Sequence, residues 1–281
     1  MTDTTRTQAT VVAPGSGTVE VDGARLWYEA TGRGYPLVLL HAGIADARMW
    51  DDQVATFAER YTVVRYDARG FGRSDPPVGP FSPRADLAGL LAALGIPRAH
   101  LVGCSMGGTV ALDTTLERPD LVSALVVCGS TPSGYPRDET LVKGWEAVDE
   151  AFEAGDVAHA VELELRMWVD GPNRGPDAVA PAVREKVRDM DAALFAMPDT
   201  GEPQKLDPPA MERLGDIRVP TLVLVGDQDQ PSTVAAAELL AERIPNARQA
   251  VIRDTAHLPN MERAAAFNRL VLDFLAKVDG A

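Results

Sequence analysis

Ser105 lies between two glycines in the stretch GCSMG at residues 103–107. A short apolar run at 99–102 predicts a buried strand before it, and the small and aliphatic residues of 107–116 predict the start of a buried helix after it. A serine on such a strand-to-helix turn is held in a strained backbone conformation that exposes its hydroxyl above the sheet edge, and flanking glycines avoid clashes with the neighbouring elements. We therefore interpret Ser105 as a catalytic nucleophile. The alternative is a glycine-rich turn whose serine does no chemistry.

A serine hydroxyl is a poor nucleophile near neutral pH, so it needs a histidine base, and the histidine needs a carboxylate to hold its tautomer. For a nucleophile on this kind of turn, the acid and then the base follow the serine in the chain. Two of the four histidines follow Ser105. His159 lies in a predicted helical stretch, whereas His257 lies in a loop after the last predicted strand. We expect His257 to be the base, the alternative being a surface loop histidine.

The acid should follow the strand before that loop, where the sequence GDQDQ at 226–230 offers Asp227 and Asp229. Asp229 lies further beyond the strand end, whereas Asp227, next to a glycine, is better placed to brace the turn. Asp254 is a third candidate, but it lies only three residues before His257. The residues favour Asp229, with Asp227 as the second choice.

The oxyanion of an acyl-transfer intermediate needs two preorganised hydrogen-bond donors. The backbone N–H of Met106, directly after the nucleophile, is expected to be one. The second is expected from the loop after an early buried strand, residues 41–45, where Gly43 permits close approach and Ile44 is the expected donor. His41 precedes the nucleophile in the chain, so we expect it to brace this loop rather than to act in catalysis.

The composition argues against several other classes of function. The 281 residues, 46% hydrophobic and 24% charged, are typical of a soluble globular protein with a sizeable core. The formal net charge of −14 argues against nucleic acid and anionic membranes as partners, and leaves a small-molecule substrate. Residues 1–17 are polar and predict a flexible leader without a signal peptide. There is no 18-residue apolar span either, so we expect a cytoplasmic location.

No motif predicts a metal or a cofactor, because the histidines are scattered and no phosphate-binding glycine loop is present. Cys104 and Cys128 are too few for a disulfide framework and lie at the ends of predicted buried strands, so we expect small core residues. No feature of the sequence indicates an oligomeric state.

Strand-like runs alternate with helical patterns along most of the chain. Alternating residues on both sides of Asp22-Gly23 predict a β-hairpin, and the runs at 36–40, 61–66, 122–127 and 220–226 predict strands of a mainly parallel sheet. The fold class is therefore α/β, with a doubly wound, mainly parallel sheet.

The pattern changes at residues 131–216, which show helical periodicity without strands and are broken by Gly-Pro pairs. We expect this stretch to be a helical insertion into one domain formed by residues 18–130 and 217–281.

Five motifs carry a resemblance to a known family: HAG at 41–43, DARGFGRS at 67–74, GCSMGG at 103–108, GDQD at 226–229 and DTAH at 254–257. With them, nearly the whole chain after the leader resembles the α/β-hydrolase superfamily. The resemblance implies an eight-stranded sheet, Asp229 as the triad acid and the insertion as a cap. It also implies that Asp67 and Arg69 belong to a structural turn. The first loop reads His-Ala-Gly where many relatives have His-Gly, which shifts the expected second oxyanion donor by one residue.

These residues predict a serine hydrolase that cleaves a small carboxylic ester or lactone through an acyl-enzyme. Carbon–carbon bond hydrolases and cofactor-free perhydrolases use the same triad and remain alternatives, as does a non-catalytic protein that keeps the pocket to hold a ligand. Substrate choice is expected to depend on the cap. An apolar cavity lining would favour simple esters, and a buried arginine would favour an acidic substrate.

Overall fold

The protein is described by a computed structural model over residues 12–136, 138–198 and 200–280. Its strands are β1 (Gly15–Val21), β2 (Ala24–Thr31), β3 (Tyr35–Leu40), β4 (Tyr61–Tyr66), β5 (Val78–Phe81), β6 (Ala99–Cys104), β7 (Val122–Cys128), β8 (Thr200–Pro203), β9 (Thr221–Gly226) and β10 (Ala247–Ile252). Its α-helices are α1 (Asp51–Ala58), α2 (Pro83–Ala93), α3 (Met106–Glu117), α4 (Glu139–Glu153), α5 (Val157–Glu164), α6 (Pro181–Phe195), α7 (Ala210–Arg213), α8 (Pro231–Arg243), α9 (Pro259–Glu262) and α10 (Ala264–Val278).

Within the described residues, eight strands form one sheet in the order β1-β2-β4-β3-β6-β7-β9-β10. The β1–β2 and β2–β4 pairs are antiparallel, and the remaining pairs are parallel. Asp22 and Gly23 form the turn of the β1–β2 hairpin with φ of 45° and 74°, the left-handed values that a two-residue hairpin turn requires. The predicted hairpin and the eight-stranded, mainly parallel sheet are confirmed.

The central strands are apolar because both faces of the sheet are covered by helices. In β3, Leu37 and Leu39 belong to one core cluster and Val38 and Leu40 to the other, as the period of a strand requires. Helices α1 and α10 pack on the first face, and α2, α3 and α8 pack on the second. The carboxyl ends of these strands therefore form one edge from which loops can project.

Between β7 and β9 the chain forms α4, α5 and α6, with a π-helical turn at Leu165–Asp170 that continues α5. The predicted helical insertion is thus present, but the expectation that residues 131–216 contain no strand was wrong. Strand β8 lies there and pairs in parallel with β5. Its sequence, TGEP, is mostly exposed and has neither an apolar run nor alternation, so its strand conformation depends on backbone hydrogen bonding to β5. We refer to residues 131–216 as the cap.

Three other expectations concern the N-terminal leader, membrane-spanning helices and the cysteines. Residues 1–11 of the predicted leader lie outside the described residues, and β1 already begins at Gly15. None of the described helices has the length and apolarity needed to span a membrane. Cys104 and Cys128 are buried free thiols that lie opposite each other at the ends of β6 and β7.

Candidate active site

Ser105 lies at the junction where β6 ends and α3 begins with Met106, as the sequence predicts. Its backbone has φ 50° and ψ −117°, an unfavourable conformation for a residue with a side chain. The junction is tight: a Cβ on Gly103 would lie 2.5 Å from the carbonyl oxygen of Gly107, and a Cβ on Gly107 would overlap the carbonyl oxygen of Leu40. The two glycines therefore allow a turn that presents Ser105 at the sheet edge.

His257 and Asp229 come together as a buried pair. His257 Nδ1 lies 2.9 and 3.0 Å from the two carboxylate oxygens of Asp229, and each residue is 4% exposed. Burial alone would lower the pKa of His257, but the charge and hydrogen bond of Asp229 outweigh it, so the pKa is raised above the ordinary 6.5. The loop of His257 lies against the end of β6, because Cys104, the residue before Ser105, lies 3.6 Å through its Sγ from the carbonyl oxygen of His257.

The other two candidate acids take part in turns. Asp227 accepts a hydrogen bond from the backbone N–H of Asp254 at 2.7 Å. Asp254 itself has φ 57°, and its carbonyl accepts a hydrogen bond from Arg174 at 3.0 Å. Within the described residues, neither of these carboxylates contacts His257. Of the three candidates, only Asp229 is placed to hold the imidazole.

Three backbone N–H groups are available near the nucleophile. Those of Met106, Gly43 and Ile44 donate no hydrogen bond to any described residue. A Cβ on Gly43 would lie 3.7 Å from Cβ of Met106, so this loop packs directly against the start of α3. Ile44 is buried in a core cluster. The contact with Met106 is therefore made by Gly43, one residue before the expected donor.

His41 braces the neighbouring loop. Its Nε2 accepts a hydrogen bond from the Ala68 N–H at 2.9 Å, which leaves the proton on Nδ1 to be donated to the Ala42 carbonyl at 2.8 Å. Burial lowers the pKa of His41, so it is neutral near pH 7. Asp67 accepts from the backbone and side chain of Arg73 at 2.9 Å. His41 and Asp67 therefore stabilise turns.

A cavity of about 550 Å³ lies between the sheet edge and the cap, within the range of small-molecule sites. On the core side it reaches Met106, Gly107 and Val110 of α3, and on the cap side Phe152 and Leu194. Most of its other lining residues are also apolar. The cavity therefore opens beside the residues that directly follow Ser105.

Comparison with known proteins places this chain in a family. The model of the alpha/beta hydrolase fold family matches residues 35–264. The chain belongs to the α/β-hydrolase family. It is 31% identical to a 2-hydroxy-6-oxononadienedioate/2-hydroxy-6-oxononatrienedioate hydrolase of Burkholderia vietnamiensis, over 90% of this chain and 91% of that protein. It is 30% identical to 3-oxoadipate enol-lactonase 1 of Acinetobacter baylyi, over 83% of this chain and 85% of that protein.

Structural comparison agrees with the sequence comparison. The crystal structure of the enol-lactonase from Burkholderia xenovorans LB400 is similar with a TM-score of 0.77 and 27% identity, covering 92% of this chain and all of that chain. The fold and the membership in a family of hydrolytic enzymes therefore agree with the predictions from the sequence.

In this α/β-hydrolase, the end of the cap's π-helical turn docks on the two loops that carry Asp229 and His257. A helix leaves its last four carbonyls without partners in the helix. Here the carbonyl of Met167 accepts from the Gln230 side chain at 2.6 Å, and the carbonyl of Trp168 accepts from the backbone N–H of His257 at 3.2 Å. The next two carbonyls accept from Arg174. Residues of the Asp229 and His257 loops thus complete the end of the cap helix.

Trp168 covers His257 and is a neighbour of the site that no sequence pattern indicated. The two rings lie 4.4 Å apart between centroids, at 38°. Trp145 of α4 packs behind Trp168, at 6.3 Å between centroids. The π-helical turn sets the direction of Trp168, and no periodicity in the sequence indicates that turn.

The cap also holds two carboxyl groups that the sequence analysis did not single out. Asp191 on α6 is 2% exposed, and its Oδ2 has no partner in the part of the chain described. Burial, with the nearby charge of Glu164, raises the pKa of Asp191 to about 8. Burial likewise raises the pKa of Glu164 to about 7, an effect that Trp168 and His257 reduce only in part. Among the described residues, no three His, Cys, Asp or Glu side chains form a group that could hold a metal ion.

Proposed function

We propose that this protein is a serine hydrolase that cleaves small carboxylic esters or lactones through an acyl-enzyme, with Ser105, His257 and Asp229 as its triad. The observation that carries the proposal is the buried hydrogen bond between His257 Nδ1 and Asp229, beside a serine in a strained strand-to-helix turn. That hydrogen bond leaves Nε2 of His257 as the proton acceptor.

In the proposed reaction, Ser105 Oγ attacks the substrate carbonyl carbon while His257 Nε2 takes the hydroxyl proton. Asp229 holds the imidazole in the required tautomer and stabilises the imidazolium. The oxyanion accepts hydrogen bonds from the Met106 N–H and from the loop at 41–45, where Gly43 is favoured over Ile44 because it packs against Met106. His257 then protonates the leaving group, and a water molecule activated by His257 hydrolyses the acyl-enzyme.

The similar proteins support hydrolysis, and the enol-lactonases among them support a lactone or an ester as substrate. A buried histidine whose pKa is raised by a paired carboxylate is typical of catalytic sites, which supports an enzyme over a ligand-binding protein.

The test is turnover of p-nitrophenyl esters of short acids by the wild-type protein and by Ser105→Ala. We expect wild-type turnover and a loss of at least about 10⁴-fold in kcat for the variant, with its thermal transition nearly unchanged. A folded Ser105→Ala protein with wild-type activity would contradict the assignment of the nucleophile. A wild-type protein without esterase activity would contradict the proposed function.

A further inference from the structure

The cavity contains charged groups whose arrangement bears on the kind of substrate. Arg69 is the one arginine or lysine among its described lining residues, and Asp86 and Asp149 are the carboxylates. Since His41 is neutral near pH 7, the lining carries one positive and two negative charges. A carboxylate on the substrate would therefore depend on Arg69.

Arg69 is already bound within the protein. Its Nε and Nη2 donate to the two oxygens of Asp86 at 2.9 and 2.6 Å, and Nη2 also donates to the Val21 carbonyl at 3.0 Å. The side chains of Arg69 and Asp86 are only 7% and 5% exposed. A bidentate ion pair at this depth neutralises the guanidinium, and a carboxylate competing for it would displace a partner that is fixed in place.

The position of the cavity shows which part of the substrate it receives. His257 must protonate the leaving group, so the leaving group lies on the His257 side of the reacting carbon. Among the described residues, neither His257 nor Asp229 lines the cavity, whereas Met106, beside the nucleophile, does. The acyl group is the substituent of the reacting carbon opposite the leaving group, so the cavity, which lies beside Met106 and is not lined by His257, is assigned to the acyl group.

We propose that the cavity selects substrates with an uncharged, hydrophobic acyl group and rejects acyl groups that end in a carboxylate, because Asp86 occupies Arg69 and Asp149 adds a negative charge. This inference rests on the proposed hydrolase function. It separates this chain from similar proteins named for an adipate enol-lactone and for dioates, whose named substrates carry carboxylates.

The experiment compares two p-nitrophenyl esters of equal length, the hexanoate and the half-ester of adipic acid, which differ only in a terminal methyl or carboxylate. We expect kcat/KM for the hexanoate to exceed that for the adipate half-ester by at least about 100-fold, because the charge would be buried without a free partner. Rates for the two esters within about threefold of each other, or a preference for the half-ester, would overturn the inference.

Two variants test whether charge in the cavity causes the preference for the hexanoate. Leu194→Arg adds a cation to the lining, and Asp86→Asn removes the negative charge that neutralises Arg69; each should reduce the preference for the hexanoate by at least about tenfold. Val251→Arg adds the same charge on an exposed position of β10, 51% exposed, and should leave the preference unchanged. An unchanged preference in a folded Leu194→Arg protein would contradict the electrostatic explanation, even if Asp86→Asn does not fold.

Binding to the Ser105→Ala variant separates this inference from the proposed function. Calorimetry should detect hexanamide but not the monoamide of adipic acid. Turnover of neither ester would contradict the proposed hydrolase. Turnover of both with equal efficiency, or equal binding of both amides, would contradict only the substrate class.

Discussion

At the sheet edge, Ser105 is fixed by the backbone of a strand, a helix and two glycines, whereas in the cap the helix end that carries Trp168 is fixed by groups from other loops. The first arrangement depends on residues adjacent in the chain. The second joins the π-helical turn to Gln230, to the backbone of His257 and to Arg174, a later residue of the cap. In the proposed mechanism the core supplies the chemistry of the reaction and the cap supplies the surroundings of the base. Substitutions in the two regions should therefore differ in the size of their effects and in the property they change, either catalysis or stability.

The largest effect is expected in the core, for Asp229→Asn. The amide cannot hold the correct tautomer or stabilise the imidazolium, so kcat should fall by about 10³–10⁴-fold. In the wild type the raised pKa of His257 places the acidic limb of kcat/KM above pH 6.5, since the base must be neutral. The limb should move to lower pH in the variant. A pH–rate profile measures both effects. An acidic limb at the same pH in the variant and the wild type would contradict the coupling between Asp229 and His257.

The next largest effect is expected where the cap meets the His257 loop. Arg174→Met leaves the buried carboxylate of Glu262 without its ion-pair partner at 2.8 Å, which should cost about 3 kcal/mol in the free energy of unfolding. Urea unfolding measures this loss. Arg118→Met removes an exposed arginine from a surface pair and should leave the midpoint unchanged. Equal midpoints for the two variants would show that the docking contact contributes little.

A smaller effect is expected within the cap, for Trp168→Ala. Removing the ring that covers His257 should let the imidazole leave its reactive orientation, lowering kcat by about tenfold with a smaller change in KM. Trp145→Ala removes a ring from the same stack without touching His257, so its effect on kcat should be weaker. Steady-state kinetics measures kcat and KM for both variants. A change confined to KM, or identical losses in both variants, would show that Trp168 serves only to pack the cap.

The smallest effect is an increase in stability from Asp191→Asn. The pKa of Asp191 is raised from 3.8 to about 8, so the folded protein holds a proton that the unfolded chain releases. The stability of the wild type therefore falls as pH rises between these values. The asparagine lacks this dependence, and its Tm should exceed that of the wild type by roughly 3 °C at pH 8 and match it near pH 4.

Asp189→Asn is the control for that measurement, because Asp189 is an exposed carboxylate on the same helix. Its Tm difference from the wild type should not grow with pH. Parallel behaviour of the two variants would show that net charge, and not burial, explains the increase.

The order of these effects also reflects what could be predicted from the sequence. The strands before Ser105 and Asp229 are short apolar runs, and glycines mark the tight turn at Ser105, so sequence patterns predict the sheet and bring the candidate residues to one edge. The partners of Trp168, Arg174 and Asp191 come from elements far apart in the chain and follow no period. Strand β8 was missed for a similar reason, because TGEP is a strand only through its pairing with β5.

The pairing of Arg69 with Asp86 shows the same limit at the level of specificity. The family resemblance implies that Arg69 belongs to a structural turn, but the sequence does not show that the guanidinium also lines the cavity or that a residue of α2 neutralises it. Whether a buried arginine recognises a substrate depends on its partners, and partners are set by tertiary packing.

The central claim is that Ser105 is a nucleophile activated by the His257–Asp229 pair. Its most direct test is intact-mass and peptide-mass spectrometry after reaction with a fluorophosphonate that labels activated serines. We predict one adduct per chain, located on Ser105, with labelling slowed strongly in Asp229→Asn and absent in Ser105→Ala. No adduct on the folded wild-type protein, or an adduct on another residue that persists in Ser105→Ala, would contradict it.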